Sequence, residues 1–128
     1  MKKKILIIDD DIDLVEALRI VLEKEGFIVI DAQDGEKGYE LAVNENPNLI
    51  ILDVMMGTQD EGFFVAYKIR QTDNLKEVPI IMLTAVGHET GFKFNKDKDE
   101  DFLPVEEFVE KPVTPDKLLD LIRKHLGT

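Results

Sequence analysis

Short apolar runs alternate along the chain with longer segments in which apolar residues recur every three or four positions. The runs are Ile5–Ile8, Phe27–Ile30, Leu49–Leu52, Pro79–Leu83 and Val105–Val109. The first, third and fourth are nearly continuous Ile, Leu and Val, which is typical of strands buried on both faces. The fifth contains two adjacent glutamates and is weaker, so it predicts an edge or irregular strand.

The segments between the runs have the period of amphipathic helices. They cover Ile12–Lys24, Glu36–Asn44, Phe63–Gln71 and a final helix that begins at Thr114-Pro115-Asp116. Gly26 supplies a stop for the first helix, and Asp34 is a candidate cap for the second. Thr114 followed by proline is a strong helix start. Alternating strands and helices predict an α/β fold: a doubly wound parallel sheet with helices on both faces.

Length and charge restrict the classes of function. The chain has 128 residues, enough for one compact domain, so we expect a single domain over 1–128. It carries 27 acidic and 16 basic residues, a net charge of −11, which should repel nucleic acid and anionic membranes. The run Ile5–Ile8 is too short for a signal sequence and cysteine is absent, so a cytoplasmic protein without disulfides is expected.

Polar side chains follow four of the five predicted strands. Asp9 and Asp10 follow the first strand, Asp53 the third, Thr84 the fourth, and Lys111 the fifth. In an open parallel sheet the ligand site lies at the carboxyl ends of the strands, where these groups would meet. Clustered carboxylates repel each other unless a cation joins them, and Mg²⁺ is the usual oxygen-bound cation where phosphate is involved. The pattern predicts a site that binds Mg²⁺ and accepts a phosphoryl group on a carboxylate.

Four motifs together resemble the receiver domain of two-component response regulators. They are Ile5-Leu-Ile-Ile-Asp-Asp10, Leu52-Asp-Val-Met-Met56, Met82-Leu-Thr-Ala85 and Phe108-Val-Glu-Lys-Pro112. Each motif is weak alone, but they occur in the family's order and near its spacings over essentially the whole chain. The resemblance implies a flavodoxin-like five-stranded sheet in the order 2-1-3-4-5.

The resemblance also implies the chemistry of the acidic residues. Asp53 matches the aspartate that takes a phosphoryl group from a phosphohistidine of a sensor histidine kinase or phosphotransfer protein. Asp9 and Asp10 match the pair that holds Mg²⁺ together with Asp53. Met55 matches the position whose backbone carbonyl completes the metal shell.

Three further positions match residues that contact the phosphoryl group or respond to it. Thr84 matches a hydroxyl that contacts the group, and Lys111 matches the lysine that pairs with it; the bond Lys111–Pro112 is expected to be cis. Phe108 matches an aromatic that moves inward with the hydroxyl residue, so Thr84 and Phe108 form the implied switch. Such a protein catalyses only its own phosphorylation and dephosphorylation, and is a monomer or a phosphorylation-dependent dimer.

Two segments depart from the family pattern. Gly57 stands where the family usually has proline, and the loop 57–62 is about one residue longer than usual. The segment 87–104 lacks helical periodicity, although the family's fourth helix lies there. We expect that helix to be remodelled, and therefore an unusual downstream protein partner.

Simpler interpretations exist for each candidate residue. Capping the first helix could be the only role of Asp9, Asp10 and Asp11. Asp53 could be a solvated strand end. Thr84 could be an ordinary β-branched strand residue and Lys111 a surface lysine. Phe108 could be a plain core aromatic, and His125 is expected to face solvent.

Two other functions remain open from the sequence. The fold could serve as an interaction module that works without phosphorylation, which the unusual segment 87–104 favours. An aspartyl phosphohydrolase would need a second acid close to Asp53, and none occurs in the next three residues. The chain ends one helix after Lys111, so we expect no DNA-binding or enzymatic output domain.

Overall fold

A computed structural model describes residues 2–54, 61–84 and 105–127 of the chain. The predictions for Met55, for the loop at Gly57 and for the remodelled helix in 87–104 fall outside the described residues.

Five strands and four α-helices alternate along the described chain. In order they are β1 (Lys4–Ile8), α1 (Ile12–Lys24), β2 (Ile28–Ala32), α2 (Gly35–Glu45), β3 (Leu49–Asp53), α3 (Glu61–Arg70), β4 (Ile80–Thr84), β5 (Glu107–Glu110) and α4 (Pro115–Leu126). A short 3₁₀ turn, Asp73–Leu75, lies between α3 and β4. None of the helices in the described ranges has the length and apolarity needed to cross a bilayer.

The strands form one parallel sheet in the order β2-β1-β3-β4-β5, which confirms the predicted fold and strand order. From β1 the next strand, β2, is added on one side of the sheet, whereas β3 and the later strands are added on the other side. That arrangement places the ends of β1 and β3 side by side, with Ile8 opposite Leu52. A crevice at the carboxyl ends of such neighbouring strands is where ligands bind in open α/β sheets.

Two hydrophobic cores lie on opposite faces of the sheet, as the doubly wound prediction requires. On one face, alternate strand residues such as Leu6, Ile50 and Met82 pack against α2 and α3. On the other face, their neighbours, including Ile7 and Ile51, pack against α1 and α4. Because β1, β3 and most of β4 are buried on both faces, their sequences are continuous apolar runs.

The predicted ends of the helices α1, α2 and α3 lie within two residues of those in the structure, the largest difference being the start of α3 at Glu61. Asp34 caps α2 by accepting a hydrogen bond from Lys37 N, and Thr114 caps α4 in the same way through Lys117 N. The helix α1 has the predicted bounds, and Gly26 follows it with φ of 94°, a conformation that favours glycine. These caps could be predicted from the sequence because each capping side chain lies within four residues of the backbone N–H that it accepts from.

The strand bounds differ from the predicted ones by one or two residues. Strand β2 begins one residue later than predicted and runs on to Ala32, through Asp31. Arg19 of α1 explains this polar extension, since it donates to Asp31 Oδ1 at 2.7 Å and to the Val29 carbonyl at 2.9 Å. Strand β5 begins two residues later than predicted, at Glu107.

Candidate functional site

Residues at the ends of four strands lie at the carboxyl edge of the sheet. Asp9 follows β1, Asp53 ends β3, Thr84 ends β4 and Lys111 follows β5. Backbone hydrogen bonds extend the sheet's pairing past the strand ends: Asp9 N donates to Ala32 O at 3.0 Å, and Lys111 N donates to Thr84 O at 2.6 Å. The backbone of Asp9 and of Lys111 is therefore fixed by the sheet rather than carried on a long loop.

The Lys111 ammonium lies between two buried carboxylates. Its Nζ is 3.2 Å from Asp9 Oδ2 and 3.5 Å from Asp53 Oδ2. Asp9 is fully buried and Asp53 is 4% exposed, whereas the side chain of Lys111 is 23% exposed. The Lys111 side chain is thus largely buried in an ion pair rather than free on the surface, and Asp53 is not a solvated strand end.

The charge on Lys111 is stabilised by these two neighbours. Burial acts to lower the pKa of Lys111, but the negative charges of Asp9 and Asp53 outweigh it and raise that pKa above its ordinary value of 10.5. The lysine therefore stays protonated at neutral pH. A fixed cation beside Asp53 is a group that can neutralise negative charge brought in by a phosphoryl group.

Three carboxylates at this edge could share a divalent cation. Asp9, Asp10 and Asp53 each offer an oxygen, and these oxygens lie within 4.8 Å of one another. Asp9 Oδ2 is buried and accepts no hydrogen bond from any residue in the described ranges, although the lysine ammonium is near. A buried oxygen without a hydrogen bond and an all-carboxylate donor set both fit Mg²⁺. Met55 lies outside the described residues.

The simpler helix-capping interpretation applies to Asp11. Its Oδ1 accepts a hydrogen bond from Leu14 N at 3.2 Å, as the N-cap of α1. Asp9 Oδ1 accepts from Asp11 N at 2.9 Å, so it supports the turn while its other oxygen faces Lys111. Asp10 is exposed at the same turn. The three aspartates therefore have different environments.

Sequence reasoning missed Gly62, which lets α3 approach the end of β3. Gly62 N donates to Val54 O at 2.9 Å. A Cβ at Gly62 would lie 2.7 Å from Val54 Cα and would overlap the Asp53 carbonyl oxygen. A glycine at the second position of a helix is a poor helix former, and that mismatch is the signal that could have identified it.

The two switch residues lie on neighbouring strands. Thr84 is partly exposed at the end of β4. Phe108 of β5 is partly buried against the core under α2 and α3, and its ring centroid is 6.2 Å from that of Phe63 with an interplanar angle of 36°. This packing is compatible with a core role for Phe108 and with a switch role.

The prediction that His125 faces solvent was wrong. Its side chain is 18% exposed, and its Nε2 lies 2.8 Å from Glu107 Oε2 of β5. Lys124 Nζ lies 3.1 Å from the same oxygen. The helix period places His125 on the boundary of the apolar face of α4, and the sequence alone did not show that β5 would carry a carboxylate opposite it.

Comparison with known proteins assigns the family. The family model described as "Response regulator receiver domain" matches residues 5–123. The transcriptional regulatory protein SrrA of Staphylococcus aureus is 38% identical over 119 residues, which are 90% of this chain and 44% of that protein. The chain spans less than half the length of the curated relatives it matches.

Solved structures agree with this assignment. A CheY-like response regulator receiver domain protein from Methanospirillum hungatei superposes with a TM-score of 0.81 at 26% identity, covering 99% of this chain and 95% of that one. The chemotaxis protein CheY4 of Vibrio cholerae superposes with a TM-score of 0.83 at 25% identity, covering 98% and 100%. Together with the acidic edge site, these matches show that the chain belongs to the response regulator receiver domain family of two-component signalling.

Proposed function

We propose that this receiver domain accepts a phosphoryl group on Asp53 from a phosphohistidine of a sensor histidine kinase or phosphotransfer protein. The observation that carries the proposal is the position of the Asp53 carboxylate, which lies 3.5 Å from the Lys111 ammonium in a cluster with Asp9 and Asp10. Receiver domains are signalling modules rather than classical enzymes, so the reaction proposed is the domain's own modification.

In the proposed reaction a carboxylate oxygen of Asp53 attacks phosphorus. The new O–P bond forms as the N–P bond of the donor breaks, and the electron pair of that bond goes to the departing imidazole, which takes a proton. Lys111 pairs with a phosphoryl oxygen, and the Thr84 hydroxyl donates to another. Both residues would act by stabilising charge and orienting the group.

Mg²⁺ would be held by Asp9, Asp10, Asp53 and the backbone carbonyl of Met55. When bound, the cation neutralises charge on the phosphoryl oxygens and on the clustered carboxylates. Asp9 Oδ2 is buried, faces the Lys111 ammonium and accepts no hydrogen bond from the described residues. This position and the closeness of the three carboxylates support the assignment.

Phosphorylation would be read by another protein. We propose that Thr84 and Phe108 move together on phosphorylation and change the surface near β5, where Phe108 packs on Phe63. The expected setting is the cytoplasm, where sensor kinases present their phosphohistidine. The domain would act as a monomer or as a phosphorylation-dependent dimer.

Incubation with acetyl phosphate and Mg²⁺, followed by intact-mass measurement, tests the proposal. The wild-type protein is expected to gain one phosphoryl group, and Asp53→Asn is expected to gain none because the amide is not a nucleophile. Asp120→Asn removes an exposed aspartate on α4 and is the matched control. It should be modified like the wild type.

Two results would contradict the proposal. One is no mass gain in wild type with Mg²⁺ present, and the other is an equal gain in Asp53→Asn. Either result would favour an interaction module that works without phosphorylation.

A further inference from the structure

Glu61 joins the starts of two helices beside the acceptor site. Its Oε2 accepts a hydrogen bond from Gly35 N at 2.7 Å, across 26 residues of sequence. Gly35 is the first residue of α2, where the backbone N–H groups have no partner within the helix. Asp34 satisfies Lys37 N in the same turn. The start of α2 is therefore capped by one local carboxylate and by one from the first residue of α3.

The contact between these helix starts leaves no room for a side chain at Gly35. A Cβ there would lie 2.6 Å from Glu61 Oε2 and 2.7 Å from Val65 Cγ2. Real Cβ atoms essentially never approach other atoms so closely. The first turn of α3 is thus held tightly against the first turn of α2.

The same turn of α3 is held against the acceptor strand. Gly62, next to Glu61, donates its N–H to Val54 O, and a Cβ at Gly62 would overlap the Asp53 carbonyl oxygen. On the far side, the loop into α2 leaves β2 at Ala32, whose carbonyl accepts from Asp9 N at 3.0 Å. Glu61 and its neighbour Gly62 therefore link the start of α2 to the backbone at the end of β3. The start of α2 in turn follows the end of β2.

We propose that Glu61 is a positioning residue for phosphoryl acceptance. Its carboxylate fixes the start of α3 on α2, and through Gly62 it fixes the backbone of Asp53 relative to Asp9. Glu61 Oε2 bonds to Gly35 N, whereas the clustered carboxylates are those of Asp9, Asp10 and Asp53, so the effect of Glu61 on the reaction is indirect. This inference rests on the proposed function of Asp53.

Two substitutions separate the reach of this side chain from its charge. Glu61→Asp keeps the charge but is one methylene shorter, so its oxygens fall short of Gly35 N. Glu61→Gln keeps the length and an oxygen acceptor but has no charge. Glu36, exposed in the first turn of α2, provides matched controls as Glu36→Asp and Glu36→Gln.

The measurements are the initial rate of phosphoryl gain from acetyl phosphate at saturating Mg²⁺ and the hydrogen exchange of the Gly35 amide. Because small displacements of reacting groups cost large factors in rate, Glu61→Asp should react at least about threefold more slowly than wild type. It should also exchange the Gly35 amide faster. Glu61→Gln and both Glu36 variants should match the wild type in rate and in exchange.

Three results would overturn the positioning role: a wild-type rate in Glu61→Asp, equal slowing in Glu61→Asp and Glu61→Gln, or slowing of Glu61→Asp with unchanged Gly35 exchange. The proposed function fails separately. No phosphoryl gain in the wild type contradicts that function, whereas gain in the wild type with no difference among the variants contradicts only the role of Glu61.

Discussion

At the scale of single residues, the proposed acceptor site combines negative and positive charges that are largely buried. Two buried carboxylates, Asp9 and Asp53, face one lysine, Lys111, and the exposed Asp10 lies beside them. Both carboxylates are largely removed from water, so nearby cations and hydrogen-bond donors must stabilise their charge. The lysine supplies one positive charge, and the proposed Mg²⁺ would supply two more.

Replacing Lys111 with Met tests this balance in stability. With the ammonium gone, two buried carboxylates face each other, and an unsatisfied buried polar group costs about 1–3 kcal/mol. In buffer with a metal chelator we expect Lys111→Met to lower the free energy of unfolding by about that amount. Added Mg²⁺ should recover part of the loss, because the cation binds the same carboxylates.

Urea denaturation with chelator and with Mg²⁺ measures the effect. Lys117→Met, at an exposed position of α4, is the control for loss of one positive charge and should change stability little. Equal stability of Lys111→Met and wild type in chelator would show that the lysine does not compensate the carboxylates.

At the scale of elements, ion pairs and hydrogen bonds connect the edge strand β5 to α4. Glu107 of β5 faces Lys124 and His125 of α4. Burial acts to raise the pKa of Glu107, but hydrogen bonds from His125 and Lys124 outweigh it and lower that pKa below its ordinary value of 4.5. The ionised carboxylate therefore contributes to the packing of β5, the strand that carries Phe108.

The lowered pKa fixes the pH range of this contribution. A carboxyl group whose pKa is lower in the folded state stabilises the fold above its unfolded pKa, and the effect is lost as pH falls through the folded pKa. Glu107→Gln should therefore be less stable than wild type at pH 7, by about 0.2–1 kcal/mol for a partly exposed ion pair. The difference should shrink as the pH falls below 4.5.

Thermal or urea unfolding of both proteins between pH 3 and pH 7 measures that difference. Glu110→Gln, at an exposed position of the same strand, should show almost no difference from wild type at any of these pH values. A Glu107→Gln deficit that is constant down to the lowest pH would mean that the contact is steric rather than ionic.

At the scale of the whole molecule, the sequence predicted the parts that depend on local pattern. Continuous apolar runs such as Ile5–Ile8 identified buried strands, and Thr114 identified a helix start. The site followed from one further rule, because strand ends of a parallel sheet meet at one edge. That rule placed Asp9, Asp53 and Lys111 together. The cis bond at Lys111–Pro112, which the family resemblance implied, is confirmed.

Contacts between distant segments were not predictable in this way. The hydrogen bond from Gly35 N to Glu61 joins the starts of two helices. Nothing in the sequence pattern of either helix indicates which helix it will contact. His125 and Glu107 meet for the same reason. The turn Asp73–Leu75 was missed because three residues are too few for a hydrophobic period. Such contacts depend on how whole helices and strands pack, and that packing is determined by residues throughout the chain.

The central claim is that Asp53 carries the phosphoryl group. Hydride reduction with borohydride cleaves an acyl phosphate and leaves an alcohol in place of the carboxylate that carried it. After treatment with acetyl phosphate, Mg²⁺ and borohydride, peptide mass spectrometry should find that alcohol at position 53 and not at Asp9 or Asp10. Reduction at another aspartate, or at none in protein that has gained phosphoryl mass, would contradict the account.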